Sequence, residues 1–308
     1  QHPDNIKKPV FASGPVLGGE DEVTETFWAF SELGCHEQMW DYEGKEVDSL
    51  VVPKLLTKYG NFFAKRRLGE QVFLTLRIPN PSVEPHEARL LPEILSSIPR
   101  SFHTAQSFYD KNIAPIFEVI LPMTTSVKDI DRVFYYYKNF VIGHGNLNIS
   151  QGDIKVSQWL GDFNPKNINV IPLFEDSESL LSAHSIIEEY LKGKELGHQR
   201  VFLARSDPAL NYGSLAAVFL LNISLQRLHK LEKKIKIPIF PILGVGSSPF
   251  RGNLKPDNIE SMLSGYPSCQ TFTIQSAFKY DWPQEAAAEA IKKINQAKRT
   301  EPAPIEEE

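Results

Sequence analysis

Three residues define the chemistry this sequence can do: Glu175 and Asp207, each just past a short apolar run, and Arg251, inside a Gly-rich segment. Carboxylates at the ends of two neighbouring strands could share a hard divalent cation such as Mg²⁺ or Mn²⁺. Such a cation takes oxygen ligands and keeps several waters for a substrate to displace. The competing reading is that each carboxylate caps the helix that follows, or pairs with Arg205 or Arg251. Zinc fits poorly, because Cys35 and Cys269 are far apart and the eight histidines form no HxxxH pattern.

The segment Gly244-Val245-Gly246-Ser247-Ser248-Pro249-Phe250-Arg251-Gly252 also leaves an apolar run. Its glycines let the backbone approach an anion, the amides of Gly246, Ser247 and Ser248 can donate to it, and Arg251 offers a bidentate cation for phosphate or carboxylate. A simple tight turn is the alternative. The segment matches neither the dinucleotide fingerprint nor the P-loop, and no GxSxG elbow is present. Other runs end in Asp41 and Glu43, in Arg77, in Met123 to Thr125, in Arg205 and Ser206, and in Gln275 and Ser276. For Asp41 and Glu43 a fold-supporting role and a catalytic one are equally open.

These side chains need a scaffold that gathers strand ends, and the apolar pattern supplies one. Runs rich in Val, Ile, Leu and Phe occupy 72–78, 115–121, 169–174, 200–204, 237–243 and 270–274, with a weaker one at 38–42. Continuous apolar runs suit strands covered on both faces, as in a parallel sheet flanked by helices. Between them, 177–191, 213–231 and 283–298 carry helical periodicity, and Ser177 with its acidic neighbours suits a helix N-terminus. The spacing fits a β/α barrel or a doubly wound sheet, whose ligands bind at the carboxyl ends of the strands. Seven runs leave a closed eight-stranded barrel one short. Either a strand is hidden in the sequence or it lies beyond residue 308.

Composition narrows the classes further. Of 308 residues, 42% are hydrophobic and 23% charged, the balance of a soluble globular chain, and no apolar run is long enough to span a bilayer. The first residues lack the pattern of a signal peptide, so a cytoplasmic location with reduced thiols is expected, and both cysteines read as packing residues. A net charge of −5 argues against nucleic acid as a partner, and the short runs Lys65-Arg66-Arg67 and Lys233-Lys234 read as solvated helix faces. A small anion needs only a few converging cations and stays possible. The sequence begins without Met and ends in a Pro-rich acidic stretch, which reads as a tail or linker of a trimmed fragment.

Four segments carry a more specific signal: Gln1-His2-Pro3-Asp4-Asn5, Ile171-Pro172-Leu173-Phe174-Glu175-Asp176, Phe202-Leu203-Ala204-Arg205-Ser206-Asp207-Pro208-Ala209-Leu210-Asn211-Tyr212-Gly213, and Gly246-Ser247-Ser248-Pro249-Phe250-Arg251-Gly252-Asn253. With Leu74-Thr75-Leu76-Arg77-Ile78-Pro79-Asn80 and Phe272-Thr273-Ile274-Gln275-Ser276, the chain closely resembles archaeal-type phosphoenolpyruvate carboxylase along its whole length. The resemblance implies a TIM-type β/α barrel of the phosphoenolpyruvate/pyruvate-binding type, lacking its last strand and C-terminal helices. It divides the chain into 1–36 with an active-site His, a barrel over 37–299 and a tail over 300–308.

The implied reaction joins phosphoenolpyruvate and bicarbonate into oxaloacetate and phosphate with Mg²⁺ or Mn²⁺, through carboxyphosphate and an enolate, in an anaplerotic homotetramer. The implied metal carboxylates are Glu175 and Asp207. Arg77 and Arg251 would neutralise the phosphoryl charge, with Arg205, Gly246, Ser247 and Ser248 also on the substrate. His2 would assist carboxyphosphate breakdown, where composition alone reads a frayed end. The larger bacterial and plant enzymes carry a Lys at the position of Leu210, and a His and an Arg at those of Leu243 and Val245. The segment expected beyond residue 308 would add a substrate arginine, the last strand and oligomer contacts. A bicarbonate-independent lyase or aldolase of the same barrel type, and a non-catalytic subunit, are the alternatives.

Overall fold

The computed structural model describes residues 10–13, 18–42 and 48–305, so His2 and Glu43 lie outside the described residues. Seven strands form one sheet: β1 (Glu37–Asp41), β2 (Phe73–Arg77), β3 (Glu118–Leu121), β4 (Asn169–Phe174), β5 (Gln199–Ala204), β6 (Ile239–Gly244) and β7 (Thr271–Phe272). Each pairs in parallel with the next, in chain order, and helices connect them. The helices are α1 (Gly19–Ser31), α2 (Val51–Lys58), α3 (Gly60–Phe63), α4 (Leu90–Tyr109), α5 (Val127–Tyr136), α6 (Val156–Leu160), α7 (Ser177–Leu191), α8 (Ser206–Tyr212), α9 (Ser214–Ile235), α10 (Ile259–Gly265) and α11 (Gln284–Gln296).

The sheet is curled into a barrel wall. In a flat sheet with strands ~4.8 Å apart, β1 and β5 would lie about 19 Å from each other. Arg200 on β5 nevertheless hydrogen-bonds Glu37 on β1 at 2.7 and 2.9 Å, Glu118 on β3 at 2.8 Å and Thr271 on β7 at 3.4 Å. Side chains from four alternate strands meeting in one layer are the packing signature of a β/α barrel, which decides against a doubly wound sheet.

Because strand side chains alternate sides, inward residues recur every second position. Above the polar floor of Glu37, Glu118, Arg200 and Thr271 lies an apolar layer of Ile120, Ile171, Leu173, Phe202, Ala204 and Ile242, with Met39 packed on it. Asp41 and Glu175 follow two residues after Met39 and Leu173, and Arg77 two after Thr75, whose hydroxyl donates to Glu37. The alternation therefore lifts the charged side chains to the carboxyl rim.

The outward strand faces and the inner helix faces form the main core, in which Cys35 and Cys269 are buried and unpaired. Burial pushes the Cys35 thiol up to about 12, so it packs rather than reacts. Among the described residues no ladder joins β7 to β1; that side is spanned by a Lys279–Glu25 ion pair and by Asn295 Nδ2 donating to Gly34 O at 3.0 Å.

The expected run 270–274 shortens to two strand residues in β7. It pairs only with β6, and Thr273 Oγ1 turns to donate to Val245 O at 2.8 Å. Residues after α11 lie against α9, with Ile305 N donating to Gln226 Oε1 at 2.9 Å and Glu301 paired with Lys233 at 2.7 Å. No helix among the described residues is long and apolar enough to cross a membrane.

Candidate active site

The barrel encloses a cavity of about 860 Å³ that runs from the polar floor to the carboxyl rim, where Asp41, Arg77, Glu175, Ser206, Asp207, Gly244 and Gln275 line it. Three of the residues singled out by sequence, Arg77, Glu175 and Asp207, thus line one cavity.

Glu175 follows β4 directly, and its carboxylate accepts the Met123 amide at 2.6 Å. Capping of α7 falls to its neighbour: Asp176 accepts Glu178 N at 3.0 Å and Ser179 N at 2.9 Å. That division frees Glu175 from the helix and removes the capping alternative for it. Burial raises the Glu175 carboxyl above its ordinary value; the Met123 amide and the Arg77 charge oppose this, while Asp207 and Asp176 add to it. The two neighbouring carboxylates thus repel each other when both are charged.

Asp207 lies in the first turn of α8, a helix that begins two residues after β5 ends. Ser206 Oγ donates to Asp207 Oδ2 at 3.1 Å, and among the described residues the other oxygen accepts no hydrogen bond. Arg77 closes β2, in register with Asp41 on β1, and the two pair at 3.6 Å.

The Gly-rich segment folds into a compact loop after β6. Gly246 N donates to Arg251 O at 2.8 Å, Leu254 N returns to Gly246 O at 3.0 Å, and Arg251 N reaches Ser248 O at 2.9 Å. Gly246 is a point of close approach: a Cβ there would stand 2.8 Å from Arg251 Cβ and 2.8 Å from Gln275 Oε1. Gly252, at φ +123, needs the conformational freedom of glycine. Arg251 crosses the loop with its guanidinium 5.8 Å from the Phe250 ring centre. It is half-buried and does not line the barrel cavity.

Two residues expected on the substrate, Arg205 and Ser247, also take part in the scaffold of the loop. Arg205 is 8% exposed, and its guanidinium donates to Phe250 O at 3.0 Å and Tyr266 OH at 3.3 Å, bracing the loop from beneath. Ser247 is buried and its hydroxyl accepts Ala277 N at 2.9 Å, tying the loop to the segment after β7. Arg205 thus donates to a backbone carbonyl and a phenol, and the Ser247 hydroxyl accepts a backbone amide, so both side chains brace the loop. Sequence reasoning overlooked the Met123 amide, which leaves no side-chain signature. It also left Gln275 unassigned, whose Oε1 is buried at the rim with no hydrogen-bond partner among the described residues.

Among the described residues no group of three or more His, Cys, Asp and Glu converges. A cation here would take two protein carboxylates and leave its remaining positions to water and substrate, which suits a hard divalent ion.

The whole chain, residues 1–308, matches the sequence profile of phosphoenolpyruvate carboxylase. It belongs to that family. A phosphoenolpyruvate carboxylase of Pyrococcus furiosus is 53% identical over 308 residues, covering 99% of this chain and 65% of the relative. Those of Methanothermobacter thermautotrophicus and Methanospirillum hungatei are 53% and 52% identical, covering 100% and 97% of this chain and 64% and 62% of theirs. The chain thus spans slightly under two thirds of the length of these carboxylases. Among solved structures, an HpcH/HpaI aldolase from Desulfitobacterium hafniense aligns at a TM-score of 0.48 and 12% identity, covering 90% of this chain and 88% of its own.

Proposed function

We propose that the protein carboxylates phosphoenolpyruvate with bicarbonate, forming oxaloacetate and phosphate, in the presence of Mg²⁺ or Mn²⁺. The observation that carries the reading is the convergence of Arg77, Glu175 and Asp207 on the rim of one cavity, in a chain that matches the carboxylase family throughout. The residues fit a divalent cation: Glu175 has one oxygen held by the Met123 amide and Asp207 has one held by Ser206, so each can offer its second. When bound, the cation supplies positive charge against the developing enolate.

The remaining work belongs to the chain. Arg77, on a strand end beside the carboxylates, orients the phosphoryl group and neutralises its oxygens as bicarbonate attacks phosphorus and the bond to the enol oxygen breaks. Arg251 closes over the same charge from the loop side. Carboxyphosphate then loses CO₂ and leaves phosphate, and the enolate carbon takes up the CO₂ with its electron pair. The apolar layer of Ile171, Leu173 and Phe202 beneath the rim limits water, which would otherwise protonate the enolate. His2, by its match to the family motif, assists carboxyphosphate breakdown. A homotetramer, a cytoplasmic location and an anaplerotic role follow from the same resemblance.

Bicarbonate labelled in all three oxygens with ¹⁸O tests the sequence of bonds. One label should arrive in the released phosphate, read by mass spectrometry. Unlabelled phosphate would mean that bicarbonate never attacks phosphorus, and the reading would fall.

A further inference from the structure

Met123, at the end of β3, has φ +48, a left-handed conformation that a non-glycine residue rarely holds unless its surroundings impose it. Its amide is the group that donates to Glu175 at 2.6 Å. The strained peptide and the candidate cation carboxylate are therefore one unit, and its restraints can be named. On one side, Asn80 Nδ2 donates to Pro122 O at 2.8 Å and to Met123 O at 3.3 Å. On the other, Thr124 N donates to Leu173 O at 3.0 Å and Thr124 Oγ1 to Leu121 O at 2.8 Å.

Asn80 is 1% exposed and its remaining polar groups are also used. Its Oδ1 accepts Ser82 N at 3.1 Å, and its own N–H donates to Glu84 Oε2 at 3.3 Å. The carboxamide is thus fixed from its own loop and grips the two carbonyls flanking the Met123 amide. A side chain that only filled space there would need no such set of donors.

We infer that Asn80 is a positioning residue for the cation site: it holds Met123 left-handed, so that the Met123 amide engages one Glu175 oxygen and turns the other toward the cation. The inference rests on reading Glu175 and Asp207 as cation ligands. Outer groups that orient a ligand typically change metal affinity about 10- to 100-fold when removed. Met123 acts through its backbone, so the identity of its side chain matters only through the conformation it tolerates. Glycine accepts the left-handed region freely, whereas a β-branched residue resists it.

The test measures Mn²⁺ alone binding to the intact protein, by the loss of the free-ion electron paramagnetic resonance signal, with circular dichroism and melting curves alongside. Glu175→Ala should abolish site binding; if it binds Mn²⁺ like the native protein, the cation reading itself fails. Asn80→Ala should weaken Mn²⁺ binding by about 10- to 100-fold, and adding Met123→Gly to it should restore part of the loss, a rescue that a merely structural Asn80 would not give. Independently of how well Asn80→Ala folds, Met123→Val should weaken Mn²⁺ binding while Met123→Gly stays within about threefold of native. Native affinity in folded Asn80→Ala or in Met123→Val, with Glu175→Ala still inactive for Mn²⁺, would overturn the positioning role and leave the cation site standing.

Discussion

Arg200 on β5 grips Glu37 on β1 with two parallel hydrogen bonds, at 2.7 and 2.9 Å, across a separation of 163 residues and three intervening strands. The fork geometry suits a guanidinium and a carboxylate facing each other squarely. The same Arg200 holds Glu118 at 2.8 Å, so one cation inside the barrel balances two carboxylates. Removing it leaves the buried Glu118 and the half-buried Glu37 without their cation beneath the apolar layer. Arg200→Met should cost about 3–5 kcal/mol of unfolding free energy, measured by urea titration. An unchanged midpoint would show that the floor contributes nothing to closure.

Glu118 makes the floor sensitive to acid. Burial alone would raise its carboxyl, but the hydrogen bond from His198 and the charge of Arg200 bring it below the ordinary value of 4.5. A carboxylate depressed on folding stabilises above its unfolded pKa, and that stability is lost as pH falls through the lower folded value. The destabilisation caused by Glu118→Gln should therefore be largest near neutral pH and shrink once the pH drops below 4.5. Melting temperatures of the two proteins across that range provide the check. A gap that widens in acid would contradict the sign.

The brace under the Gly-rich loop has its own signature. Arg205→Met would strip the donors from Phe250 O and Tyr266 OH while keeping much of the side-chain volume. A loss of about 1–3 kcal/mol per group left unpaired is the expected scale. Hydrogen exchange across 246–253 should speed up, and the Michaelis constant for phosphoenolpyruvate should rise because Arg251 is carried by the same loop. Unaltered exchange there would show that Arg205 does not brace the loop.

Gly246 is the tightest point in that loop. Gly246→Ala forces a methyl group to within 2.8 Å of both Arg251 Cβ and Gln275 Oε1, so one of them must move. Displacing Arg251, proposed to bind the phosphoryl group, by a fraction of an ångström to 1 Å would lower kcat/KM by up to about 10²-fold. The melting temperature should change much less than the rate, since both neighbours stand at the rim. A variant with native kinetics would mean that Arg251 has no fixed place in catalysis.

Much of this was legible in the sequence, for identifiable reasons. The run at 169–174 and the helix at 177–191 coincide with β4 and α7, because an unbroken apolar run meets Asp176, a strong helix cap. Helix α8 went unseen, since its seven residues are too few for an apolar repeat to register, although Asp207 is carried on it. The polar floor was hidden for another reason: Glu118 and Arg200 each sit singly within runs that read as apolar, and only the curl of the sheet brings them together. Arg205 and Arg251 look alike in sequence; burial separates the brace from the half-buried cation of the loop. The Met123 amide belongs to the backbone and has no letter in the sequence to mark it.

Carboxylation of phosphoenolpyruvate at the rim, as proposed, depends on Glu175. The most direct measurement supplies the intact protein with phosphoenolpyruvate, ¹³C-bicarbonate and Mn²⁺ and follows the products by nuclear magnetic resonance. The expected result is ¹³C at the new carboxyl of oxaloacetate, formed in step with phosphate and lost in Glu175→Ala. Consumption of phosphoenolpyruvate without bicarbonate, or native carboxylation by Glu175→Ala, would contradict it.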